Sequence, residues 1–151
     1  MQRIIKTVNR GREYIYSTPT KAMELLNGLF SSFFCLVFLI NGDTLSGFRI
    51  YINFNYLGPK WFWIFMLFIG LAQLNYMRKD TLESNIKSAL VMHISSVNWL
   101  VVAIMFGSIY PPLSTGFFTY SWFSVISCLT ALHLDSQNTY ELLIRKEIKD
   151  A

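Results

Sequence analysis

The sequence predicts an all-α, polytopic membrane protein: a bundle of four transmembrane helices, with short interfacial helices at its N- and C-terminal ends. Three observations predict it. Of the 151 residues, 53% are hydrophobic and only 15% charged, whereas a soluble domain carries about 25% charge to solvate its surface. Four apolar runs approach the roughly 20 residues that a helix rising about 1.5 Å per residue needs to cross a hydrocarbon core of about 30 Å. Those runs also lack the charged face of a soluble core helix, since no Asp, Glu, Lys or Arg occurs in residues 25–39, 61–77 or 89–134. The length fits one domain.

Residues 1–21 form a basic cytoplasmic segment. Between Gln2 and Arg10, Ile4, Ile5 and Val8 share one face while Arg3, Lys6 and Arg10 face elsewhere. That pattern suits a short helix lying on anionic lipid, ended by Gly11. "STPTKAMELL" then reads as a helix start, with Ser17 or Thr18 capping and Pro19 in the first turn. The first span is 22–40, read as an uncleaved signal anchor because "NGDTLSG" after it lacks the small-residue pattern of a cleavage site.

Residues 41–60 make the one sizeable external loop. Within it Phe48, Ile50, Ile52, Phe54 and Tyr56 alternate with polar neighbours like a half-buried strand. A lone strand is unstable in water, so this interaction segment must lean on lipid headgroups, on the other external loop or on a neighbouring copy. The second span, 61–77, is short and flanked by aromatics. The third, 88–110, is long enough to tilt. "YPPLSTG" is a tight uncharged hairpin in which two prolines stop the third helix and Ser114 or Thr115 caps the fourth, 117–134. Residues 135–151 form a charged tail, a short amphipathic helix with Glu141 placed to pair with Arg145.

Orientation follows from Lys and Arg in the flanks. Eleven lie in the N-terminal segment (Arg3, Lys6, Arg10, Arg12, Lys21), the second connection (Arg78, Lys79, Lys87) and the tail (Arg145, Lys146, Lys149). Two, Arg49 and Lys60, lie in the first external loop, and the PPLSTG hairpin has none. Both termini are therefore expected in the cytoplasm. The net charge of +4 reflects this placement and not a nucleic-acid partner; the expected partners are the bilayer, further copies of the chain, or other membrane proteins.

Helices in lipid associate through small residues and a few hydrogen bonds. The packing or oligomer seams expected on that basis are Gly28 and Ser32 in span one, Ser96, Ala103 and Gly107 in span three, and Ser121, Ser124, Cys128 and Ala131 in span four. Span two offers only Gly70, which predicts that spans one, three and four lie closest and that span two has most lipid contact.

Polar side chains inside spans are the candidate functional groups, because an unpaired one in hydrocarbon costs several kcal/mol. These are Asn27, Gln73, Asn75, His93, Asn98 and His133. His93 and His133 lie at comparable depth and form the candidate cofactor or proton-handling pair; the plainer expectation is that His93 bonds Asn27 or Gln73 while His133 meets water near Asp135. Glu24 is expected to serve its own helix N-terminus beside Lys21. No catalytic residue, metal site or cofactor is expected: no GxSxG, HExxH or phosphate-cradling loop is present, and Cys35 and Cys128 lie at different depths and form no CxxC.

The order "STPTKAMELLNGLF", "LINGDTL", "YLGPKWFWIF" and "YPPLSTGFFTY" resembles small four-span inner-membrane proteins of tailed phages. The resemblance implies a host inner membrane and a role in lysis, in passage of the genome into the cell, or in exclusion of other phages. The charged tail matches that of holins, although most holins have fewer spans. The function expected is a non-enzymatic, self-associating membrane protein that alters permeability in a holin-like way or docks a partner. The alternatives are a cofactor- or proton-handling subunit using His93 and His133, or a structural anchor with cytoplasmic docking arms.

Overall fold

A backbone in hydrocarbon has to hydrogen-bond to itself, and the four apolar runs do so as helices. The computed structural model describes residues 19–46, 60–79, 81–108 and 115–150. They form α1 (Pro19–Ser46), α2 (Trp61–Tyr76), α3 (Leu82–Gly107) and α4 (Thr115–Asp150). The basic amphipathic segment and the alternating residues 48–56 lie outside the described residues.

Pro19 opens α1, where its missing N–H would be unsatisfied anyway. The helix runs past residue 40, with a kink at Asn41 (φ −115°, ψ 15°), so the connection to α2 begins later than expected. α3 starts six residues before the expected span. Thr81 caps it by accepting the Ser84 backbone N–H at 3.3 Å, with Glu83 in the first turn and an ion pair between Glu83 and Lys87. The expected separate tail helix is instead the end of α4, one unbroken helix of 36 residues. No Gly or Pro occurs after Gly116 to stop it, and Glu141 pairs with Arg145 at 2.6 Å as expected. Three of the helices, α1, α3 and α4, are long and apolar enough to cross a membrane. α2, with 16 residues, rises about 24 Å against a core of about 30 Å.

Contacts between side chains fix an up-down-up-down order. α2 runs antiparallel to α1, with Gly70 against Gly28 and Trp63 stacked on Phe38 at 4.2 Å. α4 runs antiparallel to α3, with Ser124 against Ser96 and Phe117 against Gly107. α1 and α3 are parallel, joined from Lys21–Asn85 to Asn27–Ser95. The starts of α1 and α3 and the ends of α2 and α4 therefore share one end of the bundle.

Two expectations about packing need correction. The principal neighbour of α1 is α2, not α3 or α4. α2 is also no peripheral helix: Trp63, Met66, Ile69, Gly70 and Gln73 are buried. The reason is the crossing of two glycines. A Cβ on Gly70 would lie 3.0 Å from the Gly28 carbonyl oxygen, and one on Gly28 would lie 3.1 Å from that of Gly70. One small residue in a bulky helix is enough when it meets another.

The half of the bundle away from the shared end has an aromatic core. Phe34 touches Phe30, Phe38, Trp63, Trp99 and Tyr120. Trp99, fully buried, stacks on Tyr120 at 5.6 Å. Each such pair adds about 0.5–1.5 kcal/mol beyond burial.

The seam of small residues between α3 and α4 is a reciprocal clasp. Ser96 Oγ donates to the Ser124 carbonyl at 2.9 Å, and Ser124 Oγ donates to the Ser96 carbonyl at 2.8 Å. Both hydroxyls bond carbonyls already used in their own helices, so each bond adds only about 0.6 kcal/mol. Replacing both serines by alanine is expected to cost about 1 kcal/mol, read as a small shift in the unfolding midpoint in detergent; a loss of folding would contradict it.

Candidate functional site

The interior toward the shared end is polar, and its residues come from all four helices. At mid-bundle Asn27 acts as a hub. Its Nδ2 donates to Ser95 Oγ at 2.9 Å and approaches Met92 Sδ at 3.4 Å. Its Oδ1 accepts from Trp99 Nε1 at 2.9 Å and from Ser127 Oγ at 3.3 Å. An indole N–H can only donate, so Trp99 fixes which way the amide faces. All four bonding positions of the amide are thereby used, and α1, α3 and α4 are joined through one side chain.

One turn nearer the shared end, Ser88 stands between α1 and α2. It donates to Glu24 Oε2 at 2.9 Å and accepts from Gln73 Nε2 at 2.7 Å. Glu24, Gln73 and Ser88 are all fully buried. Lys21 Nζ lies 3.9 Å from Glu24 and 3.4 Å from Asn85 Oδ1. Glu24 does sit beside Lys21 as expected, but it also ties α1 to α3, which the helix-terminus reading omitted. Ser84 Oγ closes the turn between α2 and α3 by donating to the Tyr76 carbonyl at 2.7 Å. Beside that turn Tyr76, Lys79, Thr81, Glu83, Ser84 and Lys87 line an open groove of about 90 Å³, well below the roughly 300 Å³ of a small-molecule site.

His93 does not take either partner that the sequence suggested. His93 bonds Asp135 across α3 and α4 at 2.8 Å, not Asn27 or Gln73, whose partners are Ser95, Trp99, Ser127 and Ser88. His133 is exposed. Two residues apart on a helix are about 200° apart around it, so Asp135 meets α3 while His133 turns away. The pair is not gathered into one site. Among the described residues no group of three His, Cys, Asp or Glu side chains converges to hold a metal.

Most of the other predicted packing residues face a neighbouring helix of the chain. Gly28 and Ser32 face Gly70; Ala103 is buried; Gly107 lies against Phe117; Ser121 and Cys128 are half-buried beside Ser124. Asn98 is buried, and its Nδ2 has no partner among the described residues, as is true of Gln73 Oε1 and Ser31 Oγ. Asn75 is exposed. Sequence reasoning missed Ser88, Ser95, Ser127 and Trp99. Ser84, Ser88 and Ser95, at spacings of four and seven, do mark one face of α3; serines that can bond their own helix carry too little signal alone.

Comparison with protein-family models, with curated proteins and with solved structures gives no match.

Proposed function

We propose that the chain is a non-enzymatic four-span protein of a bacterial inner membrane, with both ends in the cytoplasm, that docks a partner and conducts nothing. One observation carries this reading: the polar groups at mid-span are turned inward, and exposed ones such as Asn75 and His133 lie near the ends of the expected spans. Asn27, Gln73, Ser88, Ser95 and Ser127 are buried and bonded from helix to helix, while the outward faces carry Phe33, Val37, Phe68, Val97, Leu100, Trp122 and Leu129. An aqueous pore between copies needs a polar outer stripe, and a pore within one copy needs an open axis, which the aromatic core fills.

α2 is counted as a span because it accompanies α1 in depth. Gln73 meets the Glu24 level through Ser88, and Trp63 meets Phe38. A short span is accommodated by thinning of the bilayer or by flanking residues reaching to the interface. The phage resemblance adds the setting, a host membrane in which the chain holds a partner or excludes a second phage without opening the bilayer.

The test is inducible expression in a bacterial host with membrane potential and dye uptake followed over time. Protein recovered in the membrane fraction of cells that stay polarised and exclude dye is the expected result. Abrupt depolarisation with dye uptake would sink the docking reading in favour of a holin-like one.

A further inference from the structure

We propose that a water molecule is bound inside the bundle near its shared end, between Gln73 of α2 and the Lys21–Glu24 ion pair of α1. The site lies within one chain and is independent of which side of the membrane the shared end faces. Three observations converge on it, and the first is an unused acceptor. Gln73 is fully buried, its Nε2 donates to Ser88 Oγ at 2.7 Å, and its Oε1 has no partner among the described residues. Turning the amide over would not satisfy that oxygen. Ser88 Oγ already gives its one proton to Glu24 Oε2 at 2.9 Å, so a carbonyl placed against it would meet no hydrogen. A serine can turn an idle hydroxyl to its own helix; the Gln73 carbonyl needs a donor from elsewhere.

The second observation is a stretched ion pair. Lys21 Nζ lies 3.9 Å from Glu24 Oε2 and 3.4 Å from Asn85 Oδ1, against about 2.7–2.9 Å for a direct charge-assisted bond. Both side chains of the pair are buried, 6% and 0% exposed, so bulk solvent does not close the gap. A polar contact of that length is the kind that a bound water bridges. The third is position. Ser88 Oγ bonds the Glu24 carboxylate and the Gln73 amide at once, so the unused carbonyl and the ion pair flank the same hydroxyl.

Water suits these neighbours better than other small ligands do. It donates one hydrogen bond to Gln73 Oε1 and one to the Glu24 carboxylate, and it accepts one from Lys21 Nζ. That set is within the roughly two to four partners of a typical buried water. A metal ion would be repelled by the Lys21 ammonium, and among the described residues no group of three His, Cys, Asp or Glu side chains converges. An anion would be repelled by Glu24 and by the Gln73 carbonyl. The consequence is structural and electrostatic together. An ion pair that keeps a water inside the protein escapes part of the desolvation that opposes buried charges, which lets α1 begin with a lysine and a glutamate turned inward.

The test is the infrared carbonyl stretch of Gln73 in the full chain in lipid vesicles. The glutamines of the chain are Gln2, Gln73 and Gln137. Cell-free synthesis with glutamine isotopically labelled in its side-chain carbonyl, in a Gln2→Ala and Gln137→Ala background, therefore leaves Gln73 as the one labelled group. Its band is expected where the same labelled amide absorbs in water, and it is expected to stay there in Lys21→Met, which has no ammonium to donate. A band at the position of an amide in apolar solvent overturns the proposal. So does a band that moves to the apolar position in Lys21→Met, because the donor would then be the lysine itself. Ser96→Cys with Ser124→Cys, whose hydroxyls are 3.4 Å apart, forms a disulfide in an intact bundle and reports folding in parallel samples with Cys35→Ser and Cys128→Ser. Lys21→Ala answers the same question if Lys21→Met fails that control.

Discussion

Replacing Gly70 by leucine should separate α1 from α2 and destabilise the bundle by at least about 3 kcal/mol. A Cβ there would lie 2.6 Å from Ser32 Oγ, 3.0 Å from the Gly28 carbonyl oxygen and 3.0 Å from the Ser32 backbone nitrogen. The hydroxyl can rotate away. The two backbone atoms cannot, because Gly28 and Ser32 are one turn apart in the same helix and Ser32 Oγ already bonds the Gly28 carbonyl at 2.8 Å. Alanine at this position should cost about 1–3 kcal/mol, and Ser32→Ala should recover only the part due to the hydroxyl. The measurement is reversible unfolding of purified protein in mixed micelles, with stability compared across Gly70, Gly70→Ala and Gly70→Leu. A leucine variant within about 0.5 kcal/mol of the parent, the range of a neutral surface change, would show that the helices do not cross at this point. The same substitution at Gly107 tests specificity. There the nearest atoms belong to the Phe117 ring, at 2.6 Å, a side chain with rotamers to spare, so the effect should be smaller.

This crossing also marks the limit of what the sequence discloses. The four helices were legible because long uncharged runs have no other low-energy form in lipid, and α2 was located to within a residue. Which helices touch was not legible. Gly28 was recognised as a packing residue, but spacing within one helix says nothing about the partner facing it, and a lone glycine in α2 carried no pattern at all. The continuity of α4 was hidden for a different reason. Hydropathy falls after Leu134, which reads as an end, whereas the backbone needs a breaker to end and meets none. Asn27 and Gln73 were legible as buried polar groups because amides are rare in lipid. His93 was assigned the wrong partner, since its proper one, Asp135, lay just past the expected end of the fourth span and was counted as tail.

The polar band has two explanations with opposite signs, and substitution of Asn27 separates them. If the hub holds the bundle together, Asn27→Leu should destabilise it by about 2–4 kcal/mol. Most of that is the indole N–H of Trp99, left unpaired in a fully buried position at a cost of about 1–3 kcal/mol, with the two lost serine bonds adding about 0.6 kcal/mol each. Ser95 and Ser127 can turn to carbonyls of their own helices; Trp99 has no such recourse. Trp99→Phe should therefore be cheaper in the Asn27→Leu background than alone, with a coupling of at least about 1 kcal/mol in the double-mutant cycle. The opposite result is physically open, because an apolar side chain of similar volume can replace a buried polar one without loss. A leucine variant as stable as the parent would mean that the amide is kept for something other than stability. On the proposed docking reading, that would move the search for its determinant from the ends of the chain to the interior, and to states in which α1 parts from α3 and α4.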